Sequence, residues 1–380
     1  MADAFDPMIG GHCDPEFAQV GDTFAANFRD RGELGAAVAV YKGGRKVVDL
    51  WGGWADLART RRWEEDTIVC MMSVGKGMAA LCVWMLVDRG LIDPDAPVAR
   101  YWPGFAQAGK AGISVGTLLA GKAGLLYADY APAGAGYDWD VMIDALERQA
   151  PAWEPGTSHG YHSATAGYLF GELVRKVDGR PVDQFLREEV TAPLRVDYGY
   201  GAAWADPALV ADIIPNPDSH TFVQSRDPST KLGRAWRMRP ESSDHYNDVR
   251  MRTGLLPSTN GHGNARAVAR IYAALAAGGT LDGVHLVSPG TIDRMRAESW
   301  FGTCEMTGRI FRYAYGFFLN EPLMSPMGSN PRAFGHPGAG GSLGFADPEN
   351  GLAFSYSPSL MCAGGGLGER CHLLSAAVYA

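Results

Sequence analysis

The sequence has no long apolar run, no closely spaced cysteines and no excess of basic residues. No stretch of about 18 consecutive apolar residues occurs, so no membrane-spanning helix is expected. The N-terminal segment carries aspartates and no apolar core, and no secretory signal is expected there. With 34 basic and 42 acidic residues the formal net charge is -8, which disfavours nucleic acid or an anionic membrane as the main partner.

The six cysteines lie far apart, and none belongs to a CxxC pair or to a Cys/His pattern of metal ligands. We therefore expect free thiols in a reducing compartment, which favours the cytoplasm. No metal or cofactor is expected, because the sequence shows no cluster of ligand residues. The chain is 46% hydrophobic and has 380 residues, enough to bury a large core. A small molecule is the expected partner, and monomer and dimer both stay open.

Strand patterns lie at the two ends of the chain, and helical patterns fill its middle. A β-hairpin is expected over 34–53, because two runs rich in β-branched residues flank Gly43 and Gly44. Further strands are expected at 313–319, 332–336, 342–347 and 352–357. The expected helices span 17–31, 76–89, 141–149, 164–177, 182–190, 265–277 and 373–379.

This order predicts an α+β fold: an antiparallel sheet built from both termini, flanked by helices, with an inserted, mostly helical domain. We place the sheet domain at 1–70 and 262–380 and the helical domain at 71–261. Residues 203–257 show no periodicity and are expected to form a rim loop beside a ligand cleft between the two domains.

Ser73 and Lys76 form the first catalytic candidate. Apolar residues dominate 76–89 and Gly90 follows, which predicts a helix beginning near Ser73. A lone serine at this place is most often an N-cap. Lys76, however, follows three residues later on the same helical face and can reach the serine hydroxyl. A lysine whose neutral amine is favoured by apolar surroundings can activate a serine as a nucleophile.

Two further candidates lie in the middle and near the end of the chain. Tyr161 and Ser163 precede a predicted helix; packing and capping are their simplest roles, but a phenol close to a lysine can relay protons. A glycine-rich strand edge follows His336, where a backbone N–H can face a developing oxyanion. Pro337 has no N–H, so Ala339 is the expected donor, with a simple tight turn as the alternative.

Two patterns have the form of known motifs without their context. Gly340-x-Ser342-x-Gly344 fits a nucleophile elbow, which requires a strand before it and a helix after it, whereas a strand is expected after this one. Residues 116–123 fall one residue short of a P-loop, since Ala123 stands where Ser or Thr would hold Mg²⁺. We expect neither to carry the chemistry.

Taken in order, Ser73-x-x-Lys76, Tyr161-x-Ser163 and His336-x-Gly338 resemble the motifs of the serine β-lactamase and penicillin-recognising enzyme superfamily. The class C β-lactamases and the family VIII carboxylesterases are the most similar branches. The resemblance extends over nearly the whole chain and includes the stretches 118–125, 155–157, 256–263 and 341–348.

The resemblance implies an acyl-enzyme on Ser73, with Lys76 and Tyr161 as general base and acid. The backbone N–H groups of Ser73 and Ala339 would form the oxyanion hole. It further implies substrate or supporting roles for four residues: Ser163, which would orient Lys76, His336, which would line the pocket or contact the substrate, and Gly338 and Lys122.

Two departures from the family pattern bear on the substrate. The second motif usually ends in Asn and here ends in Ser163; the third usually begins with Lys and here begins with His336, largely neutral at pH 7. Loss of that cation favours neutral short-chain esters over β-lactams. We therefore expect a cytoplasmic serine esterase, with weak β-lactam hydrolysis left open. Amide hydrolysis, acyl transfer and a catalytically silent binding protein are the alternatives.

The rim loop is also expected to contribute to substrate binding. It contains Trp204, Trp236 and Tyr246, which we expect to supply an apolar pocket for the acyl group.

Overall fold

One antiparallel sheet dominates the computed structural model, which describes residues 8–239 and 246–380. The strands are β1 (Gly10–Cys13), β2 (Gly35–Lys42), β3 (Arg45–Gly53), β4 (Val69–Cys70), β5 (Tyr198–Tyr200), β6 (Gly261–Gly263), β7 (Thr280–Leu281), β8 (Val284–His285), β9 (Trp300–Thr303), β10 (Ile310–Tyr313), β11 (Phe318–Leu319), β12 (Phe334–Pro337), β13 (Leu343–Asp347) and β14 (Leu352–Pro358). Nine of them form the large sheet in the order β1-β3-β2-β14-β13-β12-β11-β10-β9. Two small sheets have the orders β4-β6-β5 and β7-β8.

The N-terminal hairpin lies directly beside the C-terminal strands. Gly43 and Gly44 have φ angles of 56° and 77°, the left-handed backbone that a tight hairpin turn requires. Strand β14 pairs antiparallel with β2 on one side and with β13 on the other. The prediction of a single sheet built from both ends of the chain is therefore confirmed.

Helices cover the sheet and fill the middle of the chain. They are α1 (Ala18–Asp30), α2 (Val74–Asp88), α3 (Val115–Leu119), α4 (Trp139–Arg148), α5 (Ala166–Asp178), α6 (Val182–Leu186), α7 (Ala192–Leu194), α8 (His220–Arg226), α9 (Lys231–Ala235), α10 (Val249–Thr253), α11 (Ala265–Ala276), α12 (Pro289–Met295) and α13 (Gly368–Ala377). A π-helical turn, Arg187–Thr191, joins α6 to α7, and short 3₁₀ helices lie at Pro15–Phe17, Val98–Arg100, Pro103–Ala106, Ala135–Tyr137 and Pro207–Leu209. Helix α11 packs against β2, β13 and β14.

Helix α2 is the most buried helix near the site. Every residue from Val74 to Val87 is buried, because the helix is apolar on all sides. It packs against α5 and α6 on one side and against β12 on the other. Its first turn, which follows Ser73, therefore lies where the sheet meets the helical part of the chain. The domain boundaries at 70/71 and 261/262 stay a prediction.

Three expectations about local structure were wrong. The segment 203–257, expected to be a loop, contains α8, α9 and α10; its residues 240–245 lie outside the described residues. The expected strand 313–319 is two strands, β10 and β11, and the C-terminal helix begins at Gly368 rather than at residue 373. In the part of the chain that the structure describes, no helix is both long and apolar enough to cross a membrane.

Candidate active site

Ser73 lies at the start of α2, but its hydroxyl makes no capping bond. Its Oγ lies 2.9 Å from the Nζ of Lys76 and 3.4 Å from the carbonyl oxygen of Ser258. Met72, the preceding residue, has a φ of 51°, a left-handed conformation that is costly for a residue with a side chain. Strained backbone of this kind is concentrated at functional sites.

Lys76 is 1% exposed, and its amine lies between two oxygen atoms. Besides Ser73 Oγ, the Nζ contacts the carbonyl oxygen of Ser258, to which it donates a hydrogen bond. Within the described chain no carboxylate forms an ion pair with it, and burial lowers the pKa of its ammonium well below the usual value. The neutral amine, the form that can accept a proton, is therefore favoured.

Tyr161 brings a phenol to the same hydroxyl. Its side chain is close enough to Ser73 for the two to interact, and its ring centroid lies 5.1 Å from the Nζ of Lys76. The rings of Phe311 and Phe318 pack against it at centroid distances of 6.0 and 5.6 Å. Desolvation by these surroundings raises the pKa of Tyr161 above its usual value, so the phenol stays protonated at neutral pH.

The loop between β12 and β13 approaches Ser73 closely. The N–H of Gly338 donates to the carbonyl of Ser342 at 2.7 Å, and Ser342 Oγ donates to the carbonyl of Met71 at 2.8 Å. A Cβ on Gly338 would lie 2.1 Å from Ser342 Oγ and 2.4 Å from the Met71 oxygen, so only glycine fits.

Two backbone donors without a partner in the described chain belong to residues at this point of the cavity wall. The N–H groups of Ser73 and Ala339 have no hydrogen-bond acceptor among the described residues, and both residues line one cavity. Unpaired donors beside a nucleophile are the arrangement that stabilises an oxyanion.

The cavity beside Ser73 has a volume of about 1150 Å³, including its open mouth. Aromatic and apolar side chains form much of its wall: Met72, Tyr161, Leu232, Trp236, Tyr246, Phe311, Phe318, Met324 and Leu367. A concave, largely apolar site with a few convergent polar groups is typical of small-molecule binding.

The family model for Beta-lactamase matches residues 22–360. The chain belongs to the Beta-lactamase family. It is similar to the esterase/β-lactamase LipL of Mycobacterium tuberculosis, with 34% identity over 381 residues, covering 96% of this chain and 88% of LipL. It is also similar to a solved family VIII carboxylesterase, with 39% identity, a TM-score of 0.89 and coverage of 98% and 99% of the two chains.

A penicillin-binding protein homologue from Caulobacter crescentus matches at 38% identity and a TM-score of 0.87, with coverage of 98% of this chain and 99% of that one. The superfamily resemblance predicted from the motifs is thus confirmed, as is the fold. The protein is a serine hydrolase of the β-lactamase fold.

Ser163 makes a different contact from the one that the sequence predicted for it. Ser163 lines the cavity, but its Oγ accepts a hydrogen bond from the indole N–H of Trp236 at 3.0 Å. The carbonyl of Ser258, not Ser163, holds the amine of Lys76. No side-chain pattern marks a backbone carbonyl, so the only signal for this contact in the sequence was the family-like stretch 256–263.

His336 is 0% exposed and lies behind the cavity wall rather than in it. Its Nδ1 lies 2.7 Å from the carbonyl oxygen of Pro337. Burial, reinforced by the nearby Lys76, lowers the pKa of His336 to about 3, so the ring is neutral. The expectation that its side chain lines the pocket is not met, whereas Gly338 does line it.

Two other predicted contacts also lie elsewhere. The Nζ of Lys122 lies over the ring of Trp300, 5.6 Å from its centroid, and Lys122 is not among the described residues that line the cavity. Trp204 is 43% exposed and donates its indole N–H to the carbonyl of Gly201 at 2.9 Å, so only Trp236 and Tyr246 of the three rim aromatics line the cavity.

The Gly340-x-Ser342-x-Gly344 pattern lacks the surroundings of a nucleophile elbow in this Beta-lactamase family member. Strand β13 follows Ser342 where a helix would be required. The Ser342 side chain is 3% exposed and directed at the carbonyl of Met71.

Proposed function

We propose that the protein is a serine carboxylesterase that hydrolyses short-chain esters through an acyl-enzyme on Ser73. The observation that carries this proposal is the buried amine of Lys76, 2.9 Å from the Ser73 hydroxyl, at the edge of a substrate-sized cavity. The names of LipL and of the family VIII carboxylesterase support an ester as the substrate.

In the proposed acylation, the neutral amine of Lys76 accepts the Ser73 proton while Oγ attacks the ester carbonyl. The Ser258 carbonyl orients the amine by accepting one of its N–H groups. The carbonyl oxygen of the substrate becomes an oxyanion and accepts hydrogen bonds from the N–H groups of Ser73 and Ala339.

Tyr161 completes the proton transfer. Because its pKa is raised, the phenol is the proton donor to the departing alkoxide, and Lys76 returns the proton to the tyrosine. In deacylation the same pair removes a proton from water, and the water oxygen attacks the acyl carbonyl. As the bond between the acyl carbon and Ser73 Oγ breaks, the pair delivers the proton to Oγ, which releases the acid and regenerates the serine hydroxyl.

The position of His336 bears on the β-lactam alternative. The family pattern usually has a lysine there, whereas this ring is neutral and shielded from the cavity. We therefore expect β-lactam hydrolysis to be slow. We also propose a cytoplasmic location, on the basis of the six separated cysteines.

The test is hydrolysis of p-nitrophenyl acetate, butyrate and octanoate, beside the β-lactam nitrocefin, by wild type, Ser73→Ala and the control Ser342→Ala. We expect ester hydrolysis at least about 10³-fold faster in wild type than in Ser73→Ala, slow nitrocefin turnover, and a fluorophosphonate probe that labels Ser73. Rapid nitrocefin turnover would instead indicate a β-lactamase.

Absence of hydrolysis of all three esters would contradict the proposal. Product analysis with amide substrates and alcohol acceptors would then distinguish an amidase or an acyltransferase. A failure of the probe to label the folded wild-type protein would indicate a non-catalytic binding protein.

A further inference from the structure

The cavity beside Ser73 carries two guanidinium groups, and none of the described residues that line it is an aspartate or a glutamate. Arg309 lies directly before β10, and Arg239 follows α9. The chain as a whole has a net charge of -8, so this cationic lining runs against the overall charge of the protein.

Arg309 has only weak acceptors around its guanidinium. One Nη lies 3.5 Å from the sulfur of Met324, and the other lies 3.4 Å from the Nδ1 of His220. A thioether and an imidazole do not neutralise a cation, and the residue is partly buried. Its five donors are therefore incompletely used.

Arg239 is in a similar position. Its Nη1 donates to Ser225 Oγ at 3.1 Å, and partial burial lowers the pKa of its guanidinium, which still remains charged at neutral pH. Within the described residues, neither Arg239 nor Arg309 has a carboxylate within 4 Å.

Arginines elsewhere in the chain have such partners. Arg234 contacts Asp129 at 2.6 Å, and Arg252 contacts Asp212 at 2.7 Å. A cation that is partly desolvated without a counter-ion is unfavourable, and an incoming anion would relieve that cost. The planar fork of a guanidinium matches the two oxygens of a carboxylate.

We propose that Arg239 and Arg309 bind a carboxylate carried by the ester substrate, so that the preferred substrates are anionic esters. The carboxylate would lie either on the acyl part, as in monoesters of dicarboxylic acids, or on the alcohol part. This inference rests on the proposed esterase function of Ser73, because the same cavity holds both ends of the substrate. The expectation of neutral esters was based on the missing lysine at position 336 alone. The two arginines supply positive charge from another part of the cavity wall.

The experiment compares matched anionic and neutral esters. For the acyl side, the p-nitrophenyl monoesters of adipate and suberate are paired with p-nitrophenyl hexanoate and octanoate. For the alcohol side, 4-carboxymethylphenyl butyrate is paired with 4-ethylphenyl butyrate. We expect kcat/KM to be about tenfold or more higher for the anionic member in one of the two arms, with the preference decreasing as salt is added.

The variants Arg239→Gln and Arg309→Gln should each lower the anionic-to-neutral ratio of kcat/KM by about ten- to a hundredfold. Arg309→Lys should retain part of the ratio, because it keeps the charge without the planar fork. Arg237→Gln is the matched control: it removes the same charge from an exposed side chain outside the cavity lining, and the ratio should not change.

Two results would overturn the inference while leaving the esterase proposal intact: faster hydrolysis of the neutral ester in both arms, or an anionic preference that persists in both glutamine variants. If wild type hydrolyses no ester, the esterase proposal fails. The carboxylate site is then tested by a binding measurement instead. Calorimetry with monomethyl adipate and methyl hexanoate on the Ser73→Ala protein, with and without Arg309→Gln, should show tighter anion binding that the arginine variant loses. Equal binding of both compounds would refute the carboxylate site.

Discussion

Replacing Lys76 by methionine tests the proposed proton acceptor most directly. Methionine has a similar length and flexibility, so it fills the buried space of a side chain that is only 1% exposed. It removes the amine that lies 2.9 Å from Ser73 Oγ and supplies no group that can accept a proton. The packing of α2 should survive while the activation of Ser73 is lost.

The size of the loss follows from general base catalysis. A positioned base contributes about 10²- to 10⁴-fold, which corresponds to about 2.7–5.5 kcal/mol in the activation free energy. We expect kcat/KM for p-nitrophenyl butyrate to fall by at least about 10²-fold. The fall should appear mainly in kcat, because the cavity walls are unchanged.

The pH dependence provides a second signature of the same group. The wild-type enzyme needs neutral Lys76, so kcat/KM should rise with pH through the pKa of Lys76, which burial places well below the usual value. This limb should be absent from Lys76→Met. The raised pKa of Tyr161 predicts no loss of the proton donor at neutral pH.

Stability should change with pH in a defined direction. Because the pKa of Lys76 is lower in the folded state, the unfolded chain binds more protons between that pKa and about 10.4. The free energy of unfolding of wild type, relative to Lys76→Met, should therefore increase with pH across this window, as measured by urea denaturation at several pH values. A folded Lys76→Met protein with near wild-type kcat/KM and an unchanged pH profile would refute the assignment of Lys76 as the base.

Three further substitutions test other parts of the site. Tyr161→Phe keeps the ring between Phe311 and Phe318 but removes the proton donor, and kcat should fall by about 10²-fold or more with an unchanged circular dichroism spectrum. Gly338→Ala places a methyl group 2.1 Å from Ser342 Oγ. We expect kcat to fall more than about tenfold and the free energy of unfolding to fall by about 1–3 kcal/mol. Unchanged kinetics would contradict the proposal that this loop positions an oxyanion donor. Ser342→Ala removes only the bond to the Met71 carbonyl, so the free energy of unfolding should fall by about 1 kcal/mol and most activity should remain. Loss of activity in a folded Ser342→Ala protein would instead support Ser342 as the nucleophile of an elbow.

The sequence predicted those parts of the structure that a local pattern encodes. The hairpin around Gly43 follows from β-branched runs and a turn that needs two glycines. Ser73 and Lys76 lie three residues apart, so helix formation alone brings them onto one face. Helices α8, α9 and α10 were missed because each has only five to seven residues, fewer than two full turns, which is too short for an apolar period to be visible.

The features that could not be predicted are contacts between residues far apart in the sequence. The oxygen that holds Lys76 is a backbone carbonyl of Ser258, 182 residues away, and no residue type encodes that role. The position of His336 in a motif predicts its strand but not that neighbouring rings seal it from the cavity. In the same way, Arg239 and Arg309 lie 70 positions apart, and only the fold shows that they line one cavity.

Residues 71–73 are held from both sides by the segments that supply the other proposed catalytic groups. The N–H of Met71 donates to the carbonyl of Gly261 at 2.7 Å, and three residues before Gly261 the carbonyl of Ser258 orients the amine of Lys76. On the other side, the carbonyl of Met71 accepts the hydroxyl proton of Ser342, in the loop that presents the N–H of Ala339.

The proposed base, nucleophile and oxyanion donors are therefore linked through Met71. These bonds also explain how the left-handed backbone of Met72 is maintained, because its neighbours are fixed on both sides. Ser342→Ala leaves the bond between Met71 and Gly261 in place, whereas Gly261→Ala would put a methyl group 2.0 Å from the Tyr198 hydroxyl and displace that bond. The displacement should move the nucleophile relative to its base and its oxyanion donors together. Its effect on kcat should then exceed its effect on the free energy of unfolding, because catalysis is sensitive to displacements of about 1 Å.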